Sequence, residues 1–245
     1  MEKKDYKLVW SEEFNGPEID KNTWRYEIGY VRNAELQYYT DDPKNSYIED
    51  GCLVIESIKT GDPECPYTSA SLNTHGNKEF LYGKLEMRAK LPYGVGIWPA
   101  FWTLGTNIKE TPWPACGEID IMEMVGGEGR DIATCPFGDY VNDSVVQATI
   151  HYTNETRGLQ RAFEFSDRKF CEDFHTFGIE WTEEYIKCYV DNVIYNSLDI
   201  RDIECFHWPH YVLVNTAVGG GWAKDPDDTT VFPQKYYIDW IRYYK

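Results

Sequence analysis

Residues 117–126 read GEIDIMEMVG and place three carboxylates, Glu118, Asp120 and Glu123, in one apolar run. Charged side chains in such a run are costly unless something uses them. Ile119, Ile121, Met122, Met124 and Val125 leave little solvent-facing character apart from the acids. Strand side chains alternate between two faces, so Glu118 and Asp120 share a face and Glu123 falls on the other. One extra residue, a β-bulge around Ile121 and Met122, returns Glu123 to the face of the other two. Bulges are over-represented next to active sites, where they re-aim side chains. The stretch therefore predicts a bulged strand with three acids on one cleft wall. The plainer alternative is a surface strand with a polar face and no chemistry.

The rest of the chain repeats the short-strand signal. KLEMRAKL (84–91) alternates strictly, with Leu85, Met87, Ala89 and Leu91 on one face. YIEDGCLVIES (47–57) carries Asp50-Gly51, a hairpin turn between two β-type runs. YIKCYVDNVIYN (185–196) repeats this around Asp191-Asn192, with Ile186, Cys188 and Val190 facing one way. HYVLVNTAVG (210–219) and KYYIDWIRYYK (235–245) read as late strands. Short helical turns are expected near Glu18–Trp24 and Leu198–Phe206, and no long segment has a helical period. Many short strands separated by turns mean an all-β sandwich or barrel. A β-jelly roll of two stacked antiparallel sheets offers a concave substrate cleft. Without linker or repeat, residues 1–245 are expected to form a single domain, a length all-β domains reach.

Composition narrows the partners. The net charge of −17 argues against nucleic acid or an anionic membrane as partner. No stretch approaches the roughly 18 apolar residues of a membrane span. Aromatic residues make up 16% of the chain, which suits β structure and also sugar binding, because sugar rings stack on Trp and Tyr. Seven cysteines without a CxxC pair exclude zinc-ribbon and thioredoxin readings and leave at least one thiol unpaired within the chain. Buried free thiols are the expected state. His207 and His210 lack a third ligand in view, which disfavours a metal there.

Two acids at fixed separation are the minimum equipment for glycosidic bond hydrolysis: one protonates the leaving oxygen, the other attacks the anomeric carbon or activates water. With the bulge counted as one lost register, Glu118 and Glu123 behave like positions four apart, with Cα atoms about 13 Å apart. Two long side chains leaning inward can close that to the ~5–5.5 Å of retaining enzymes. Asp120, between them, would hydrogen-bond the nucleophile and keep a neighbouring carboxyl protonated by like-charge repulsion.

These residues resemble the catalytic strand of glycoside hydrolase family 16, in its bulged, laminarinase-like form. The resemblance extends over nearly the whole chain, through LVWSEEFNG (8–16), NAELQYYT (33–40), YGKLEMRAKLP (82–92), GIWPAFWTLG (96–105), ATIHYTN (148–154), HTFGIEWT (175–182), NTAVGGGW (215–222) and YIDWIRYYK (237–245). It implies a β-jelly roll and an endo-acting, retaining mechanism with no catalytic cofactor. The implied substrate is a β-1,3-glucan of laminarin type, with mixed-linkage β-1,3-1,4-glucan as a further one. Glu118 resembles the nucleophile, Glu123 the general acid/base and Asp120 the assisting acid. Trp98, Trp102 and Trp113 match cleft-lining segments, Trp113 as a sugar platform near the scissile bond and Trp102 equally open to core packing. Asn33 and Glu35 match a loop that hydrogen-bonds sugars on the non-reducing side. His151 resembles a residue near the leaving-group side, and Trp222 a platform or loop anchor. Many members also hold a structural calcium, here matched by Glu13, the Gly51 carbonyl and Asp239; oxygen ligands of this kind suit calcium.

Three departures bear on the sugar. Ser71 stands where the family often has Arg after a Ser-Ala pair, removing a forked donor. Segment 126–147 is long, and Gly221 stands where laminarinases often have Asn. The alternatives are an endo-β-galactosidase on galactan or host glycans with the same machinery, and a non-catalytic β-glucan-binding protein. The latter predicts loss of one acid, yet all three are present. A monomer is expected. The resemblance implies a secreted or cell-surface protein, while the lack of an apolar leader and the odd thiol count also allow the cytoplasm.

Overall fold

A computed structural model describes residues 5–128, 142–153 and 159–245. Residues 129–141, most of the long 126–147 segment and including Cys135, lie outside the described residues. Among the described residues the chain folds into two β-sheets, one of ten strands and one of seven. Pairing is antiparallel throughout except between Gln37–Tyr39 and Cys65–Ser69. This is the two-sheet jelly-roll-like sandwich expected from the alternating segments.

The seven-stranded sheet carries the acids. Its order is Arg161–Glu164, Val145–His151, Glu118–Glu123, Ile97–Gly105, His210–Val218, Ser71–Asn73 and Arg25–Tyr26. The acid-bearing strand thus lies inside the sheet, hydrogen-bonded on both sides, which fixes its backbone. The ten-stranded sheet backs it. Gly83–Lys90 pairs there with His175–Trp181 on one side and Gln234–Tyr244 on the other. Leu85, Met87, Ala89 and Leu91 all turn into the core, as the alternation predicts.

Between the sheets lies one apolar core, with Leu53, Ile55, Met87, Phe177, Ile179 and Ile238 from one side and Phe101, Ile119, Val146, Ile150, Val212 and Val214 from the other. Burial of each such side chain is worth roughly 1.5–3 kcal/mol. Both Ile121 and Met122 belong to this core. Two consecutive strand residues facing inward is the mark of the bulge.

The turns follow their chemistry. Asp50 and Gly51 have φ of 50° and 76°, and Asp191 and Asn192 have 47° and 69°. Two-residue hairpins of this twist need positive φ at both centres, which Asp, Asn and Gly tolerate. A helical turn closes at Asp20, whose carbonyl accepts from the Thr23 and Trp24 amides. The second expected turn appears as a 3₁₀ helix at Glu204–His207, later than the segment begins, because Val193–Asp199 is a strand. A four-residue α-turn at Gly220–Ala223 was not anticipated; glycine-rich sequence gives no helical signal.

Because Met122 fills core space at the bulge itself, Met122→Ala should destabilise the fold by about 2–5 kcal/mol. Urea denaturation monitored by Trp fluorescence measures this directly.

Candidate active site

The strand Glu118–Glu123 slips register against both neighbours between Asp120 and Glu123. Glu118 opposes His151 and Leu104, Asp120 opposes Thr149 and Trp102, and Glu123 opposes Gln147 and Ala100. From Asp120 to Glu123 the strand advances three residues while each neighbour advances two. That one-residue excess brings Glu123 to the face of Glu118 and Asp120, and all three line one cleft of about 680 Å³. Glu118 and Glu123 are therefore four ladder steps apart, about 13 Å between Cα atoms at roughly 3.3 Å per step.

The three acids have different surroundings. His151 Nε2 lies 3.0 Å from Asp120 Oδ2 and 3.6 Å from Glu118 Oε1. Trp98 Nε1 donates to Glu123 Oε1 over 2.9 Å. Burial and the neighbouring Asp120 charge push the Glu118 carboxyl up to about 8, against the pull of His151, Arg32 and a hydrogen bond from Trp113. Burial, then Asp120, raises Glu123 well above the usual carboxylate range, and burial does the same to Asp120. Three close carboxyls cannot all ionise cheaply. Negative charge is best supported at Glu118, which has two cationic or polarised neighbours and a donor. A proton is best kept at Glu123, which meets both other acids. Such divergence between neighbouring titratable groups separates acid from base.

Ligand atoms of Glu118, Asp120 and His151 lie within 4.8 Å of one another, the spacing of a cluster able to hold a metal ion. The set expected for calcium is placed differently. Arg242 grips Glu13 with two hydrogen bonds of 2.9 Å, and Arg88 pairs with Asp239. Calcium needs six to eight oxygens free to converge on it. As placed, Glu13, Gly51 and Asp239 do not fit that requirement, since each carboxylate already has an arginine as counter-charge. His207 and His210 are also spoken for. His207 meets the Tyr82 hydroxyl and the Ile200 carbonyl, and His210 meets the Thr103 hydroxyl and the Cys205 carbonyl. The six described cysteines are free thiols.

The other sequence-predicted residues reach the same cleft. Asn33, Glu35, Trp98, Trp102, Trp113, His151 and Trp222 all line it. Trp113 is half exposed, with its ring 5.9 Å from that of His151. Trp98 and Trp222 meet edge to face at 4.9 Å. Trp102 is a buried wall; its Nε1 donates to Asn215 Oδ1 over 2.8 Å. Asn215 donates on to the Tyr39 hydroxyl, which donates to Glu35 Oε2. Glu35 accepts further from Asn33 and Gln37, and burial raises its pKa. Gly221 also lines the cleft, and its amide donates to the Asn33 carbonyl over 3.0 Å, tying the two loops together.

Among the lining residues that escaped the sequence reading are Arg32 and Asn215. Asn215 gave the same signal as the acids, a polar side chain inside the apolar run HYVLVNTAV. Arg32 precedes the singled-out Asn33 and looked like an ordinary loop charge.

Residues 21–242 match the family model of glycosyl hydrolases family 16, and the chain belongs to that family. It is 43% identical to the laminarinase catalytic domain of Thermotoga maritima, at a TM-score of 0.86 and with 98% of each chain covered. Similarity to the endo-β-1,3-glucanase of Pyrococcus furiosus is 39% identity at a TM-score of 0.86, covering 98% of this chain and 94% of that one. A β-glucanase of Rhodothermus marinus is 35% identical over 258 residues, covering 98% of this chain and 85% of the relative.

Two stability predictions follow from the charges. A carboxyl with a raised folded pKa favours folding in its protonated form, so its contribution is lost as pH rises from the unfolded value of 4.5 to about 8. Glu118→Gln removes that loss. Its Tm should exceed the wild-type value at pH 8 by roughly 2–4 °C per kcal/mol relieved, with the gap closing below pH 4.5. Calorimetry across that range measures it. Because arginines neutralise Glu13 and Asp239, chelation with EDTA should leave Tm unchanged in the same instrument.

Proposed function

We propose that this protein is an endo-acting β-1,3-glucanase that hydrolyses laminarin-type chains, and mixed-linkage β-1,3-1,4-glucan as well, with retention at the anomeric carbon. The observation that carries this reading is the bulged strand, which aims Glu118, Asp120 and Glu123 into one cleft walled by tryptophans. The similarity to laminarinases supports the choice of glucan.

In the first step Glu118, ionised, attacks the anomeric carbon from below the sugar plane. Glu123 gives its proton to the glycosidic oxygen, the C–O bond breaks, and the reducing-end fragment leaves. The sugar is then an ester of Glu118. In the second step Glu123, now a carboxylate, takes a proton from water as the water attacks the same carbon. Glu118 departs with its electron pair, and both groups regain their starting states. Two displacements on opposite faces give net retention.

The remaining residues set this up. Asp120 repels charge at Glu123, keeping the proton there until the leaving oxygen takes it. His151, bonded to Asp120 and close to Glu118, holds both carboxylates in place. The Trp98 donor fixes the Glu123 rotamer. Trp113, half exposed beside His151, offers a flat apolar face to a sugar ring next to the scissile bond. Asn33 and Glu35 present polar atoms to hydroxyls at the far end.

Glu118→Gln should retain substrate binding and lose turnover by ~10³-fold or more. The test is product chromatography after incubation with laminarin, barley mixed-linkage glucan, agarose and a galactose-containing mucin glycan. NMR of the first anomer released should show the β form. Cleavage confined to the galactose-containing substrates would overturn the glucan assignment, and an α product would overturn the double displacement.

A further inference from the structure

The Asn33–Glu35 end of the cleft holds a charge pair, Arg32 and Glu27, to which the mechanism above gives no contact with the sugar. Ser71 is buried there, and its hydroxyl donates to Glu27 Oε2 over 2.6 Å. The same carboxylate oxygen takes a hydrogen bond from Arg32 Nη2. Ser71 is a short side chain that leaves room beside Glu27. A guanidinium occupies the spot, delivered from a different element, the loop between Arg25–Tyr26 and Gln37–Tyr39.

Delivery has a backbone cost. Asn33 and Ala34, directly after Arg32, have φ of 56° and 51°. Non-glycine residues adopt that region reluctantly, and such strain persists only where surrounding contacts hold it. Here the Glu35 amide donates to the Arg32 carbonyl and the Gly221 amide to the Asn33 carbonyl. The guanidinium carbon then lies 5.0 Å from the Trp102 ring centroid, and the side chain lines the cleft. Its Nη1 is buried without an acceptor. A cationic donor left unpaired away from water is unfavourable, and such a group calls for a ligand or a mechanism.

We propose that Arg32 is a specificity-determining residue of this cleft. It donates to a hydroxyl of the sugar unit bound at the Asn33–Glu35 end, in place of a sugar stacking flat on Trp102. The proposal rests on the glycanase reading above. A small shift of the fork about its Glu27 anchor would bring the unpaired nitrogen to a sugar oxygen, with the Trp102 ring beside it. The unit selected is a neutral sugar. Glu27 and Glu35 already balance the guanidinium charge, so no excess positive charge remains for a sulfate or a uronate. Arginine suits this work better than lysine because its planar fork holds Glu27 and the sugar at once.

The experiment compares wild type with Arg32→Ala on β-1,3-gluco-oligosaccharides shortened one unit at a time from the non-reducing end. An Arg32→Ala/Glu27→Gln double variant runs in parallel, because alanine alone leaves Glu27 without its counter-charge. On the longest substrate both variants should lose roughly 10–100-fold in kcat/KM, the range of a hydrogen bond from a charged donor. Most of that loss should vanish once the unit reaching Arg32 has been removed, leaving only the smaller, length-independent part that reflects Arg32's support of the Glu118 charge. An equal loss at every length, or none at any, would overturn the proposal. So would faster cleavage of a sulfated oligosaccharide than of the neutral one of equal length. If wild type cuts no β-1,3-gluco-oligosaccharide, the glucan assignment fails by itself. The same length series on whichever β-linked oligosaccharide it does cut then decides the role of Arg32.

Discussion

The hydrogen-bonded register of one strand governs this structure. Glu118–Glu123 is held on both sides, by Val145–His151 and by Ile97–Gly105, and it carries one residue more than either neighbour between Asp120 and Glu123. An extra residue in an edge strand can be absorbed by fraying. Inside a sheet it has to be taken up by a local bend, and that bend turns Ile121 and Met122 together into the core. The apolar pair anchors the bulge, and the bulge aims Glu123. A one-residue change of register would send a buried charge into the core, so the cost of error is several kcal/mol and the arrangement is strongly specified.

Crowding three carboxyls on one wall then creates the electrostatics. All three are raised from their ordinary values, chiefly by burial. What separates them is their company. His151 favours the charge on both, but Glu118 also has Arg32 and Trp113, whereas Glu123 has the Trp98 donor against two like charges nearby. The site trades fold stability for this, since each raised carboxyl costs folding free energy near neutral pH. The core between the sheets offsets that cost from outside the cleft.

The far end of the cleft shows how the meaning of one residue depends on its neighbours in space. Ser71 read alone is the loss of a donor. Beside Glu27 and Arg32 it is the space that lets a guanidinium arrive from another loop and cover Trp102. Trp102 thereby becomes a buried wall, its ring edge tied through Asn215 and Tyr39 to Glu35. The calcium ligands expected on resemblance are altered in the same way, by arginines 151 and 229 residues away in sequence that meet their carboxylates only in the folded sheet.

The alternating segments alone determined the all-β architecture, because a period of two is a local property that every strand displays. The parity fault in GEIDIMEMVG was enough to place the bulge and the three acids, for the same reason. The hairpin centres at Asp50-Gly51 and Asp191-Asn192 were legible from turn chemistry. Tertiary structure alone decided which distant groups meet. Arg32 is an unremarkable loop charge until Ser71, Glu27 and Trp102 are brought around it, and Asn215 is one polar residue in a strand until Trp102 and Tyr39 bond to it. Glu13 and Asp239 look like free oxygen ligands until Arg242 and Arg88 lie beside them. Pairing between residues far apart in sequence depends on sheet order and register, and no local pattern encodes either.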